Sequence, residues 1–301
     1  MKRLLIILGL LALFACRKEE PPVVSVDVTV DEIGPCAATF TATLNSKEEL
    51  EDAFFVVYLS EEASVNSRSA TQYVTNVLGD GKISITLYCL NPQTIYSYKT
   101  RFIHHGVNYD TKTRDFTTTD LPTGTIDMGL SVKWASTNIG SSSLLESGNR
   151  YAWGETEPKE SFSWENYKWC DGTESSINKY NTEDGLTTLQ PEDDAARVAL
   201  GGKWRMPTEA EYQELLDNSG WSWVEYHNVG GLAVTSKING NTLFFPQTRT
   251  DWDGPWGDYW SASLCDYYTP NASGFRAVTG GISSANLIKR CDGAAIRPVS
   301  E

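Results

Sequence analysis

The chain is predicted to be mostly β and to fold as two domains, a β-sandwich followed by an α+β domain. Three observations carry this. Apolar residues alternate with polar ones, at the period of a half-buried strand, through much of the first third. All ten tryptophans lie beyond residue 130. Only two stretches carry convincing helix-start signals, one at Pro191 and one at Pro207-Thr208. Once an amino-terminal leader is set aside, roughly 285 of the 301 residues remain, more than one typical domain and enough for two cores.

Lys2-Arg3 and the apolar run over residues 4–14 form a basic and then a hydrophobic region of about a dozen residues, too short to span a bilayer. Residues 1–15 are therefore read as a signal peptide. Leu13-Phe14-Ala15-Cys16 resembles the lipobox of bacterial lipoproteins, which implies that Cys16 becomes the lipidated first residue. The charged tether over residues 16–22, with Arg17-Lys18-Glu19-Glu20-Pro21-Pro22, resembles that of surface-exported lipoproteins of Bacteroidota. The resemblance implies an outer-membrane, lipid-anchored protein exposed at the cell surface; the alternative is a solvated periplasmic spacer. Without the leader the chain carries 23 basic against 39 acidic residues, a net charge of −16. Such a surface repels nucleic acid and anionic headgroups, so the lipid anchor is the only membrane contact expected.

Residues 23–119 read as the sandwich. Ala38, Phe40, Ala42 and Leu44 alternate with threonines, as do Ile83, Ile85 and Leu87 with Ser84 and Thr86. Residues 54–59 form a continuous apolar run, residues 96–103 alternate again, and Asp80-Gly81 and His105-Gly106 mark turns. About seven short strands of this kind suit an immunoglobulin-like sandwich. Leu90-Asn91-Pro92-Gln93-Thr94-Ile95-Tyr96-Ser97-Tyr98 and Phe116-Thr117-Thr118 are similar to motifs of fibronectin type III modules, with Tyr96 expected to tie a corner. Cys36 opens one predicted strand and Cys89 closes its antiparallel neighbour, so the pair is either a disulfide or two buried thiols. His104 and His105 read as a solvated turn.

Residues 120–125 are small, polar and turn-rich, and are read as a short linker. Beyond them, Thr208 and Glu211 spell a capping box, and Tyr212, Leu215 and Leu216 place one apolar face on the helix that follows. An earlier helix is expected over residues 192–200, acidic at its start and stopped by Gly201-Gly202. The tryptophan density implies a core of large rings and loops.

Trp204-Arg205-Met206-Pro207-Thr208-Glu209 resembles the hallmark of the Fibrobacter succinogenes major paralogous (FISUMP) domain, and more distantly the formylglycine-generating and C-type-lectin-like folds. Further matches follow in the same order: Asp127-Met128-Gly129-Leu130-Ser131-Val132-Lys133-Trp134-Ala135, Tyr151-Ala152-Trp153-Gly154-Glu155, Glu192-Asp193-Asp194-Ala195-Ala196, Tyr259-Trp260-Ser261-Ala262-Ser263 and Ile296-Arg297-Pro298-Val299. The resemblance implies that residues 126–301 form an α+β, C-type-lectin-like domain ending in strands near residues 259–263, 274–278 and 294–299. It fixes no single biochemistry. The oxidase chemistry of the formylglycine-generating enzymes needs closely spaced cysteines, which this sequence lacks. Cys265, just after one predicted strand, and Cys291, just before another, read as a structural disulfide, leaving Cys170 unpaired.

Two carboxylate pairs, Glu155 with Glu157 and Asp193 with Asp194, have the composition of a glycosidase acid and base. Their places in a fold motif and in a helix's first turn favour structural roles. The segment richest in recognition chemistry is residues 250–259. There Trp252, Trp256 and Tyr259 can stack on a sugar, and Asp251, Asp253 and Asp258 can bind hydroxyls or calcium. Equally, the rings can plug the core while the aspartates cap turns. No metal-ligand spacing stands out, and no cofactor other than calcium is suggested. The sequence thus reads as a non-enzymatic surface lipoprotein in which a spacer presents a module that binds a glycan or protein. A fimbria-associated structural component and a glycan-processing enzyme are the alternatives.

Overall fold

The computed structural model describes residues 25–45, 53–61, 70–77, 82–104, 106–251, 254–279 and 281–301. The chain is mostly β. Cys16, its leader and its tether lie outside the described residues, as do His105, Trp252 and Asp253.

Eight antiparallel strands open the described chain: β1 (Ser25–Asp31), β2 (Ala37–Asn45), β3 (Ala53–Ser60), β4 (Thr71–Val77), β5 (Lys82–Tyr88), β6 (Ile95–His104), β7 (Val107–Asp110) and β8 (Arg114–Thr117). One sheet runs β1-β2-β5; the other runs β4-β3-β6-β7, with β8 also paired to β6. The alternation read from the sequence sets the register. Phe40 lies opposite Val30 on one side and Ile85 on the other, and Ala38, Phe40 and Ala42 are fully buried. They meet Phe55, Val57, Tyr98, Phe102 and Phe116 from the facing sheet. On the outer face, hydroxyl pairs Thr39–Thr86 and Thr41–Ser84 bridge neighbouring strands at 2.9 Å. Tyr96 ties its corner as expected: its hydroxyl accepts from the Asn91 amide at 2.8 Å and donates to Glu61 at 3.0 Å.

The chain then continues through β9 (Thr125–Asp127) and β10 (Lys133–Ala135) into a long segment with three short 3-10 turns, the last at Pro191–Asp193. Next come α1 (Ala195–Leu200), β11 (Trp204–Arg205) and α2 (Glu209–Asp217). The remaining strands are β12 (Ser219–Tyr226), β13 (Val229–Ser236), β14 (Thr242–Pro246), β15 (Arg249–Asp251), β16 (Gly254–Leu264), β17 (Asn271–Val278), β18 (Gly281–Lys289) and β19 (Val299–Ser300). Three sheets result, β11-β19-β10-β9, β12-β13-β14 and β15-β16-β17-β18. In the first of these, β19 from the end of the chain pairs with β10 and β11.

Both halves of the capping box on α2 form: Glu211 N donates to Thr208 Oγ1 at 3.2 Å and Thr208 N to Glu211 Oε2 at 2.8 Å. Tyr212, Leu215 and Leu216 are buried, as their spacing predicts. Other expectations are corrected. The helix expected from residue 192 begins at Ala195, because Asp194 turns away from helical geometry and caps it, accepting from the Ala196 and Arg197 amides. Of residues 294–299, Ala294 and Ala295 make single bridges to Tyr151 and Tyr259, and only Val299 belongs to a strand, the two-residue β19. The described residues of segment 250–259 lie in strands: β15 pairs with β16, aligning Asp251 with Gly254.

Candidate functional site

A cleft of about 670 Å³ opens beside β11, within the range of small-molecule sites. Four local structures build its wall. At the end of α1, Gly201 takes a φ of 66° and Gly202 one of 58°, a left-handed turn that favours glycine. That turn leaves Leu200 49% exposed and lets Trp204 N donate to Gly201 O at 3.2 Å. Pairing of Trp204 with Ser300 then fixes the start of β11, with the Trp204 indole half-buried in the cleft.

The second wall is the loop bearing Leu144 and Leu145. The Glu146 carboxylate folds this loop by accepting from Ser142 N at 2.9 Å, and that hydrogen bond holds its pKa below the usual carboxylate range. The third is the β12–β13 turn, where His227 and Asn228 both have positive φ, the geometry of a tight hairpin. The Tyr226 and His227 rings lie 4.3 Å apart there, and the Tyr226 hydroxyl donates to Asp120. Burial first, then that carboxylate, raises the Tyr226 pKa to about 12. The fourth is the stretch from Thr123 to Thr125, held by Gly124 N donating to Ser136 Oγ at 2.8 Å.

Chemically the cleft combines an indole, an imidazole and three leucines with the hydroxyls of Thr123, Thr125, Ser136, Thr137, Ser142 and Ser143. Among the described residues, no Asp, Glu, Lys or Arg side chain lines it. This site was legible only in fragments. Trp204 stands out as part of a family motif, and Leu144-Leu145 is an apolar doublet inside a serine-rich loop. Nothing local announces that these segments meet.

The residues singled out in 250–259 are dispersed. The side chain of Asp251 lies outside the described residues together with Trp252 and Asp253. Trp256 sits between two guanidinium groups, Arg249 at 5.0 Å and Arg276 at 4.6 Å from its ring. Asp258 is 2% exposed and accepts two hydrogen bonds from Arg276, at 2.7 and 2.8 Å. Tyr259 is fully buried and donates to Pro246 O at 2.5 Å. Asp258 and Tyr259 are thus core residues rather than ligand contacts, because the long β16 carries them inside. Among the described residues no three His, Cys, Asp or Glu side chains gather as a metal site would need.

Three of the four paired carboxylates are committed elsewhere, and Glu157 is exposed. Asp194 caps α1 and accepts from Met206 N at 2.9 Å, while burial still raises its pKa. Burial pushes the same way at Asp193, but the hydrogen bonds from Lys179 at 2.5 Å and Tyr180 at 2.6 Å prevail and hold its pKa below the usual range. Glu155 binds Lys159 at 2.8 Å and accepts from Lys168 N at 2.8 Å. The described cysteines Cys36, Cys89, Cys170, Cys265 and Cys291 are free thiols, so the disulfide expected between Cys265 and Cys291 is not formed, and of the two readings of Cys36 and Cys89 the thiols hold, with Cys89 exposed rather than buried. Cys36 and Cys89 do follow the antiparallel register of β2 and β5: Ala37 lies opposite Tyr88, and Leu90 N donates to Cys36 O at 3.2 Å. Cys89 instead takes a left-handed φ of 69° and directs its thiol toward Trp221 O.

No model of a known protein family matches the chain, and no curated protein matches it. Several solved structures are similar to part of it. The sensor domain of the anti-sigma factor RsgI4 of Pseudobacteroides cellulosolvens is 19% identical, over 33% of this chain and 96% of that one, with a TM-score of 0.27. A computer-redesigned β-sandwich protein is 20% identical over 34% and 98% of the two chains, with a TM-score of 0.26. A fibronectin type III domain from the human KIAA0970 protein is 17% identical over 32% and 72%, with a TM-score of 0.23. The fold above rests on the chain's own strand pairing.

Proposed function

We propose that the chain is a non-catalytic binding module whose ligand is a neutral glycan seated in the Trp204 cleft. The observation that carries this is the uncharged wall: in a chain with 39 acidic and 25 basic residues, none of the described residues lining the 670 Å³ cleft is charged. A sugar ring offers a flat C–H face to an indole and hydroxyl edges to threonine and serine, which is the chemistry this wall presents. An anionic ligand would find no Lys or Arg side chain among the described lining residues. The commitment of Asp193, Asp194 and Glu155 to ion pairs and caps favours binding over hydrolysis.

On this reading the fibronectin-like sandwich is a spacer. Residues 126–301 are a FISUMP, C-type-lectin-like module, and lipid on Cys16 holds the protein at the outer face of the outer membrane. Metabolic labelling with a fatty-acid analogue tests the anchor: label should be incorporated by the native chain and lost in Cys16→Ser. The binding site is tested on an array of neutral, sialylated and sulfated glycans, with and without calcium. Neutral glycans should bind, at least 10-fold more weakly to Trp204→Ala and about equally well to Trp256→Ala. Leu200→Ala, on an exposed face, serves as the second cleft variant should Trp204→Ala fail to fold. Binding confined to charged glycans, or unchanged in both cleft variants, overturns the assignment; absence of any glycan binding transfers it to a protein ligand.

A further inference from the structure

Cys170 and Cys291 are about 120 residues apart in sequence, yet they share one small buried cluster with Ala152 and Tyr167, bordered by Trp164 and Ile177. A single hub brings them together. Tyr167 donates its hydroxyl to Trp153 O at 2.8 Å and accepts from Arg290 Nε at 2.9 Å, so the turn carrying Cys170 is pinned to the neighbour of Cys291. Arg290 also donates to Lys179 O and Tyr180 O, at 2.9 and 3.1 Å, closing the far side of the same segment. Cys170 is placed by a bridge to Ile177 and by its thiol, which points at Trp164 O at 3.1 Å. Cys265 follows β16, its amide donating to Asn271 O at 3.2 Å, and it belongs to none of the buried apolar clusters among the described residues.

We infer that Cys170 and Cys291 are an oxidisable pair that closes to a disulfide when the chain meets a thiol–disulfide oxidant. Pairing Cys291 with Cys170 replaces the Cys265 partner expected from the sequence. The exchange balances in two steps. The Cys170 thiolate attacks the oxidant's disulfide, forming a mixed disulfide and expelling one thiolate. Cys291 then gives up its proton to water and attacks the Cys170 sulfur, and the oxidant's second sulfur leaves as a thiolate that takes up a proton from water. Burial, followed by the neighbouring Asp292 carboxylate, raises the Cys291 pKa to about 12, which makes it the poorer first nucleophile. The bond would staple the irregular segment around residues 159–180 to the arm after β18. The loop so closed contains both helices and the β12-β13-β14 and β15-β16-β17-β18 sheets. This inference does not depend on the ligand assignment.

The test is a peptide map. The full chain is reduced, denatured and refolded in a glutathione redox buffer, remaining thiols are alkylated, and the digest is read by mass spectrometry with and without reductant. A reductant-sensitive peptide joining Cys170 to Cys291, with Cys265 alkylated, is expected. A Cys265–Cys291 link, or alkylation of both Cys170 and Cys291, overturns the inference. Cys265→Ser should keep the link, and reduction should lower the melting midpoint by roughly 10 °C, the scale for a staple closing a loop of this length. An unchanged midpoint despite the link would remove the stapling role.

Discussion

Phe40 in the sandwich and Arg297 near the end of the chain are both fully buried, and they hold their surroundings together in opposite ways. Phe40 packs its ring on Tyr98 and Phe116 at 5.1 and 5.6 Å, a contact of shape and apolar area. Arg297 donates to Asn138 Oδ1 at 2.8 Å, to Phe244 O at 2.9 Å and to Ala135 O at 3.4 Å, and lies over the Phe245 ring at 4.6 Å. The contrast is general. Among the described residues, the sandwich buries only hydroxyl-bearing polar side chains, Ser97, Thr100 and Thr118. The second part buries Glu155, Asp193, Asp194, Asp258, Arg290 and Arg297. Strands with a regular alternation build a core from apolar area and a few hydroxyls, with no ionic side chain buried among the described residues. A body made of long irregular segments has unpaired carbonyls and amides inside, and buried ionic side chains satisfy them.

The sharpest way to break this comparison is to exchange the two remedies. Arg297→Met should destabilise the chain by about 3–5 kcal/mol, because it leaves several buried acceptors unsatisfied. Phe40→Ala should cost a similar amount through the cavity it opens. Volume-conserving rescue separates them in denaturant titrations. Phe40→Leu should recover most of the loss, whereas Arg297→Lys should recover little, since an ammonium cannot reach three acceptors in the geometry of the guanidinium fork. Equal rescue at both positions would show that Arg297 acts by filling space.

A smaller effect tests the same idea at Asp194, whose carboxylate serves the amides of Ala196, Arg197 and Met206. Asp194→Ala should cost about 2 kcal/mol, while Asp194→Asn, which keeps one acceptor, should cost about half of that. Circular dichroism during urea unfolding reads both.

The difference between the regions also explains what could be read beforehand. Strands β2, β3, β5 and β6 are announced by local alternation or an apolar run, and Tyr96 by its motif. The start of α2 is announced by Thr208 and Glu211, three residues apart. The hubs are not local: Arg290 meets Tyr167 and Arg297 meets Asn138 across more than a hundred residues, and neither the period of a strand nor that of a helix records such a pairing. The same limit hid the cleft, whose walls come from the linker, a serine-rich loop, the end of α1 and a hairpin turn. It also misplaced Asp258 and Tyr259, whose residue types suit a binding loop but whose place in β16 puts them inside.

Acid sharpens the comparison further. At Asp193, 2% exposed, the hydrogen bonds from Lys179 and Tyr180 prevail over burial and lower the folded pKa. Its contribution is therefore present above the ordinary aspartate pKa of about 4 and is lost as pH falls through the lower folded value. Lys179→Met should remove part of that contribution at pH 6 and flatten the loss of stability on acidification.

Asp110 in the sandwich has the same sign and a smaller consequence. Hydrogen bonds from Arg101, opposed by partial burial and aided by Lys99, hold its carboxylate at about 2. The pair's stabilisation should thus be complete above about pH 4 and fade as pH approaches 2. Asp110 is 34% exposed, so solvent and salt screen the interaction, and Asp110→Asn should cost only about 0.5 kcal/mol near neutral pH. Repeating the denaturant titration in 1 M salt should erase most of that difference while leaving the Lys179→Met effect largely intact, because a Debye length of about 3 Å screens exposed charges far more than buried ones. Equal salt sensitivity at the two sites would mean that Asp193 is solvated in solution, and the contrast between a sandwich that keeps its charges outside and a module that depends on them inside would not hold there.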